Sequence, residues 1–154
     1  MQHVTQLATA ALLGLLILTW SSAGLGQTDT AAPEATPGLF INLTSDDVNR
    51  AAMAINFATK VREVREMPVT LFLNVDAVRL ADTSIPETAY ATGSTPREML
   101  SDFMELGGTV IICPMCMENV GGIERDQLME GVILGGPDTT WPALFAPNTT
   151  VLSY

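Results

Sequence analysis

The chain has 154 residues, 47% of them hydrophobic and 16% charged, with a formal net charge of -10. So acidic a balance makes nucleic acid and anionic membrane surfaces poor partners, because both repel it. The single histidine is His3 and the two cysteines are Cys113 and Cys116, so a zinc site would have neither a second CxxC nor a histidine in the mature domain to complete four ligands.

The first charged side chain is Asp29. Ahead of it, the apolar stretch 7–18 is followed by Trp20 and the small residues Ser21, Ser22, Ala23, Gly24 and Gly26. That is the core length and small-residue exit of a secretory signal. The segment before it has no Lys or Arg, and residues 7–26 approach the roughly 20 residues of a spanning helix, so a retained anchor is the alternative. Residues 1–26 are read as a signal peptide, which makes the mature protein exported, with the periplasm as its expected compartment. Residues 27–37 alternate Thr, Ala, Pro and Glu and read as a flexible linker. The remaining 38–154 suffice for one domain with a real core, and no membrane contact is expected of it.

Leu39-Phe40-Ile41-Asn42-Leu43 predicts a first strand running into a helix capped by Thr44, Ser45, Asp46 and Asp47. Val48, Ala51, Ala52, Ile55 and Ala58 fall at helical spacing, Lys60, Arg62 and Arg65 suit the negative end, and Met67-Pro68 stops the helix. The near-continuous apolar run 69–75 predicts a strand covered on both faces, and 76–95 reads as mostly irregular. Thr95-Pro96-Arg97-Glu98 opens a second helix with a capping box and a proline in its first turn, presenting Met99, Leu100, Phe103 and Leu106 inward until Gly107-Gly108. A third strand, 109–112, leads into Cys113-Pro114-Met115-Cys116 and a helical stretch broken at Gly121-Gly122. A fourth strand at 131–135, a short helix within 138–145 and a last strand at 149–153 complete the alternation. The expected class is α/β, a five-stranded parallel sheet with helices on both faces, doubly wound in the flavodoxin-like manner.

In that strand order, strands one and three are neighbours at the switch point where ligands collect. Thr44, Ser45 and Asp46 are then expected beside Cys113, with Asn74 and Asp76 one strand further out and Gly135-Gly136 on the other side. Cys113 and Cys116 are the candidate catalytic residues. Pro114 suits a first helical turn, so helix N–H groups are expected to lower the Cys113 pKa and make it the nucleophile. Cys116, one turn later, can close a disulfide and resolve. A structural disulfide is the competing reading, although so short a loop gains little from being closed. Met115 and Met117 flank Cys116 with soft thioethers that suit copper(I), against the plainer reading of methionine as core filler. Helix capping accounts for Asp46 and Asp47, and Asp76 and Arg79 read as solvent-facing. Neither GxxxxGK[ST] nor a GxGxxG after a strand is present, so no nucleotide cofactor is expected.

The opening Leu39-Phe40-Ile41-Asn42-Leu43-Thr44-Ser45, the helix carrying Arg50-Ala51-Ala52-Met53-Ala54-Ile55-Asn56-Phe57-Ala58, the strand Val69-Thr70-Leu71-Phe72-Leu73-Asn74 and the run Gly107-Gly108-Thr109-Val110-Ile111-Ile112-Cys113 together resemble the DsrE/DsrF-like family of sulfur-relay proteins, which includes the TusD-type subunits. The resemblance implies a five-stranded parallel sheet, assembly as trimers or hexamers, and persulfide transfer on Cys113. Cys116 and the export signal are departures from the family's usual pattern. The expected activity is therefore sulfur or thiol handling, as a sulfurtransferase or thiol oxidoreductase, with small sulfur species or a partner thiol protein as reactants. A copper(I)-binding module or an oligomeric scaffold is the alternative.

Overall fold

The computed structural model describes residues 36–154; the signal reading of 1–26 and nearly all of the 27–37 linker lie outside the described residues. Its elements follow the alternation of apolar runs and caps. β1 (Gly38–Leu43) feeds α1 (Val48–Arg65), then β2 (Val69–Leu73), a 3-10 turn (Val75–Ala81) and α2 (Pro96–Glu105). β3 (Thr109–Ile112) follows, with α3 (Pro114–Cys116), a π-helical turn (Met117–Gly121), a 3-10 turn (Arg125–Gln127), β4 (Ile133–Leu134), α4 (Thr140–Leu144) and β5 (Thr149–Ser153). No helix among the described residues is long and apolar enough to cross a membrane.

The local signals act as expected at both long helices. The Asp47 carboxylate accepts from Arg50 N at the start of α1, and Glu66 in the left-handed region ends it ahead of Pro68. At α2, Thr95 and Glu98 form a reciprocal capping box with Pro96 in the first turn, and Gly107, at φ 81°, turns the chain out of the helix. Met99, Leu100 and Phe103 are buried, whereas Leu106 is not: it falls on the helix cap and lies 44% exposed. The segment read as irregular holds one ordered turn. Ala77, Val78, Leu80 and Ala81 are buried there, held by a helix too short to show a period in sequence.

All five strands are parallel, in the order β4-β3-β2-β1-β5. The expected α/β class and five-stranded parallel sheet are therefore observed, but the expectation that strands one and three are neighbours is corrected, because β2 lies between them. Each crossover from β1 to β4 steps the same way, which right-handed connections allow only with their helices on one face. The return from β4 to β5 reverses direction and places α4 on the other face, against β1 and β5. The switch point consequently lies between β1 and β5, away from Cys113.

The alternation of strand side chains divides the core. Leu39, Ile41 and Leu43, Leu71 and Leu73, and Val110 and Ile112 point to one side and pack against α1 and α2 through Ala51, Ile55, Ala58, Leu100 and Phe103. Residues of opposite parity point to the α4 side, where Phe40 and Ile111 are buried and Phe40 meets Phe72 with ring centroids 5.9 Å apart. A five-residue helix cannot roof five strands, and Ile133 and Val151 on this face remain exposed.

Candidate functional site

Cys113 is the first residue beyond β3. Its N–H donates to Leu73 O at 2.9 Å and extends the β2–β3 pairing by one residue. Proline at the first helical position then turns the chain, and Cys113 becomes the cap of α3. Its Sγ accepts from Cys116 N at 3.3 Å, and its carbonyl accepts from Met117 N at 2.9 Å. Both cysteines are free thiols and half-buried. The backbone then widens into the π turn, which closes at Gly122 in the left-handed region with Ile123 N donating to Met117 O. π turns of this kind recur at functional sites.

The two thiols face different surroundings. Cys116 packs against the main core, and its Sγ donates to Asn74 Oδ1 at 3.1 Å. Asn74, one residue past β2, also accepts from Val75 N at 3.0 Å and donates to Asn42 Oδ1 at 3.4 Å. Asn42 in turn donates to Ser153 Oγ at 3.3 Å, so a row of polar side chains runs along the carboxyl edge from Cys116 to β5. Cys113 instead borders a shallow groove of about 260 Å³ on the α4 side, walled by Phe72, Pro114, Met115, Pro137, Thr140 and Trp141.

Burial pushes the Cys113 thiol above its ordinary pKa, and the hydrogen bond with the Cys116 side chain adds to the rise. The N–H groups of Cys116 and Met115 oppose it without reversing it. This corrects the expected depression. Desolvation outweighs the few N–H groups that the turn after β3 offers.

The neighbours expected from strand one stand elsewhere, since β2 intervenes. Thr44 Oγ1 donates to Tyr154 O at 2.7 Å, and Ser45 Oγ accepts from Asp47 N at 3.1 Å. Asp47 caps α1 as expected, but Asp46 does not share that role: it pairs with Arg79 at 3.4 Å. Arg79 also binds Asp76 and donates to Val120 O at 2.9 Å, tying the π turn to the 3-10 turn after β2. Gly135 and Gly136 do line the groove on the other side of Cys113, as expected from β4. Asn74, expected one strand further out, instead accepts from the Cys116 thiol, and the sequence reading missed Phe72 and Trp141 as groove walls. Only the strand order brings them to the cysteines.

Met117 is buried in the main core, so only Met115 of the flanking pair is placed to reach a ligand. Among the described residues, no group of three or more His, Cys, Asp and Glu side chains could hold a metal ion. A second hollow, about 280 Å³ between Arg79, Leu80, Ile85 and Pro96, contains no thiol or hydroxyl nucleophile apart from Thr88.

The five-stranded parallel sheet and its helices form a DsrE-like α/β fold. Among solved structures, the ychN protein from E. coli superposes with a TM-score of 0.62 at 19% identity, over 77% of this chain and 99% of its own. MTH1491, a protein of unknown function from Methanobacterium thermoautotrophicum, superposes with a TM-score of 0.58 at 13% identity, over 77% of this chain and 99% of its own. No family model and no curated protein matches the sequence. At these identities the likeness establishes the fold.

Proposed function

We propose that the protein handles sulfur at the Cys113/Cys116 pair, with Cys113 as the attacking thiol and Cys116 as the resolving one. The observation that carries this reading is the asymmetry of two free thiols joined by a 3.3 Å Cys116 N to Cys113 Sγ contact, one bordering a groove and the other turned to the core. The Cys113 thiolate attacks the outer sulfur of a persulfide R–S–SH, forming Cys113–S–SH and releasing RS⁻. An acceptor thiolate can then take the terminal sulfur and restore the Cys113 thiolate. Alternatively the Cys116 thiolate attacks Cys113 Sγ, expelling HS⁻ and leaving a disulfide that a partner dithiol must reduce.

Export to the periplasm, supported by the apolar stretch 7–18, would place this exchange where disulfides persist. Assembly into a trimer or hexamer has support in the exposed apolar side chains of the second face, Trp141, Phe145 and Val151. Cell fractionation and sedimentation of the mature protein read these two points.

Cys116→Ser separates the steps. Treated with a persulfide donor, this variant should accumulate Cys113–S–SH, while wild type releases sulfide and ends as the disulfide. Equal sulfide release from both proteins would remove Cys116 from the reaction.

A further inference from the structure

The groove beside Cys113 has a chemistry that the thiols alone do not dictate. Its side chains are Phe72, Pro114, Met115, Pro137, Thr140 and Trp141, with Gly135 and Gly136 leaving its floor bare. Cys113 is the only ionisable side chain among them. Thr140, the one hydroxyl, is buried and already accepts from Gly136 N at 3.1 Å. A carboxylate or ammonium brought into this groove would lose water and find no charged partner. An anion would also meet a protein of net charge -10. The hollow, at about 260 Å³, is smaller than the roughly 300–1,000 Å³ of pockets for drug-sized ligands.

We propose, building on the sulfur-handling reading, that this groove selects neutral, apolar sulfane-sulfur compounds of the dialkyl trisulfide class and discriminates against charged donors. The Cys113 thiolate attacks a terminal sulfur of R–S–S–S–R, forming Cys113–S–S–R and expelling the persulfide anion R–S–S⁻. The Cys116 thiolate then attacks Cys113 Sγ, expelling RS⁻ and closing the protein disulfide. The two thiol protons pass through solvent to the two sulfur anions. Overall, one trisulfide and two protein thiols give one thiol, one persulfide and one disulfide.

The test pairs two donors of similar size that share the trisulfide and differ in charge, dipropyl trisulfide and bis(2-carboxyethyl) trisulfide. Each rate of modification at Cys113 is divided by the rate of the same compound with a free cysteine peptide. The groove should favour the neutral donor by about tenfold or more in wild type, in high salt as in low. Met115→Lys, at a side chain that is 71% exposed and free to change without disturbing the core, should erase most of that preference by giving the anionic donor a charged partner. In Cys113→Ser, dipropyl trisulfide should perturb the Trp141 fluorescence saturably, with Trp141→Phe as the blank. Equal normalised rates in wild type, or a preference untouched by Met115→Lys, would overturn the selectivity while leaving sulfur handling standing. Saturable binding in Cys113→Ser with no modification of wild-type Cys113 by either donor would instead overturn the reaction and keep the groove as a binding site.

Discussion

The Cys116 thiol donates to Asn74 Oδ1 at 3.1 Å, which ties that sulfur to the residue just past β2. Because Asn74 is neutral, it orients the S–H without setting a charge against the sulfur. Asn74→Asp keeps an oxygen for Val75 N but sets a carboxylate against the sulfur. Disulfide closure after Cys113 is modified should slow by about tenfold, read by quenched-flow mass spectrometry, with little change in the first modification step. Asn74→Ala should also cost about 1 kcal/mol of stability, because the cap of the 3-10 turn goes with it.

The raised Cys113 pKa fixes the direction of its pH dependence. Labelling of Cys113 by iodoacetamide should keep rising through and beyond the ordinary thiol range, while the urea-unfolded chain levels off earlier. The stability linkage has the matching sign. A thiol whose folded pKa lies above its unfolded one binds more protons when folded, so its contribution is fully present below the unfolded pKa. It is lost as pH rises through the folded pKa, and denaturant melts across alkaline pH would show the decline.

Gly135 leaves no room for a side chain where β4 meets the groove. A Cβ there would stand 2.9 Å from Ile112 O and 3.0 Å from Thr140 Oγ1. Gly135→Ala should therefore destabilise the fold by about 1–3 kcal/mol by chemical denaturation and disturb the groove at the same time, since backbone oxygen cannot swing aside as a side chain can.

Val75 sits at φ 53°, a left-handed conformation that a β-branched residue enters at a cost of about 1–2 kcal/mol. It is 42% exposed, so little packing holds it there. Val75→Asn should raise stability by about 1 kcal/mol, since Asn tolerates this region. The melting temperature checks it, and an unchanged or lower value would show that the turn is not strained.

The sequence was most legible where local chemistry decided the outcome. The ends of α2 were readable from Thr95, Pro96, Glu98 and Gly107, and β3 and β5 from their uninterrupted strand-formers. The strand order was not, because β1 adjacent to β2 or to β3 buries the same apolar residues, and only the crossover directions distinguish them. That one difference moved Thr44 and Asp46 away from the cysteines and brought in Asn74. The CxxC fixed where the thiols sit in the chain, but the Cys113 pKa depended on burial, which no motif encodes.

The central claim, that Cys113 accepts sulfur and Cys116 resolves it, is tested most directly by peptide mass spectrometry of native wild-type protein after brief polysulfide exposure. The account predicts added sulfur on Cys113, or a Cys113–Cys116 disulfide that a thiol reductant reverses, and neither product in Cys113→Ser. A wild-type protein that emerges with both thiols free and no added sulfur would contradict it.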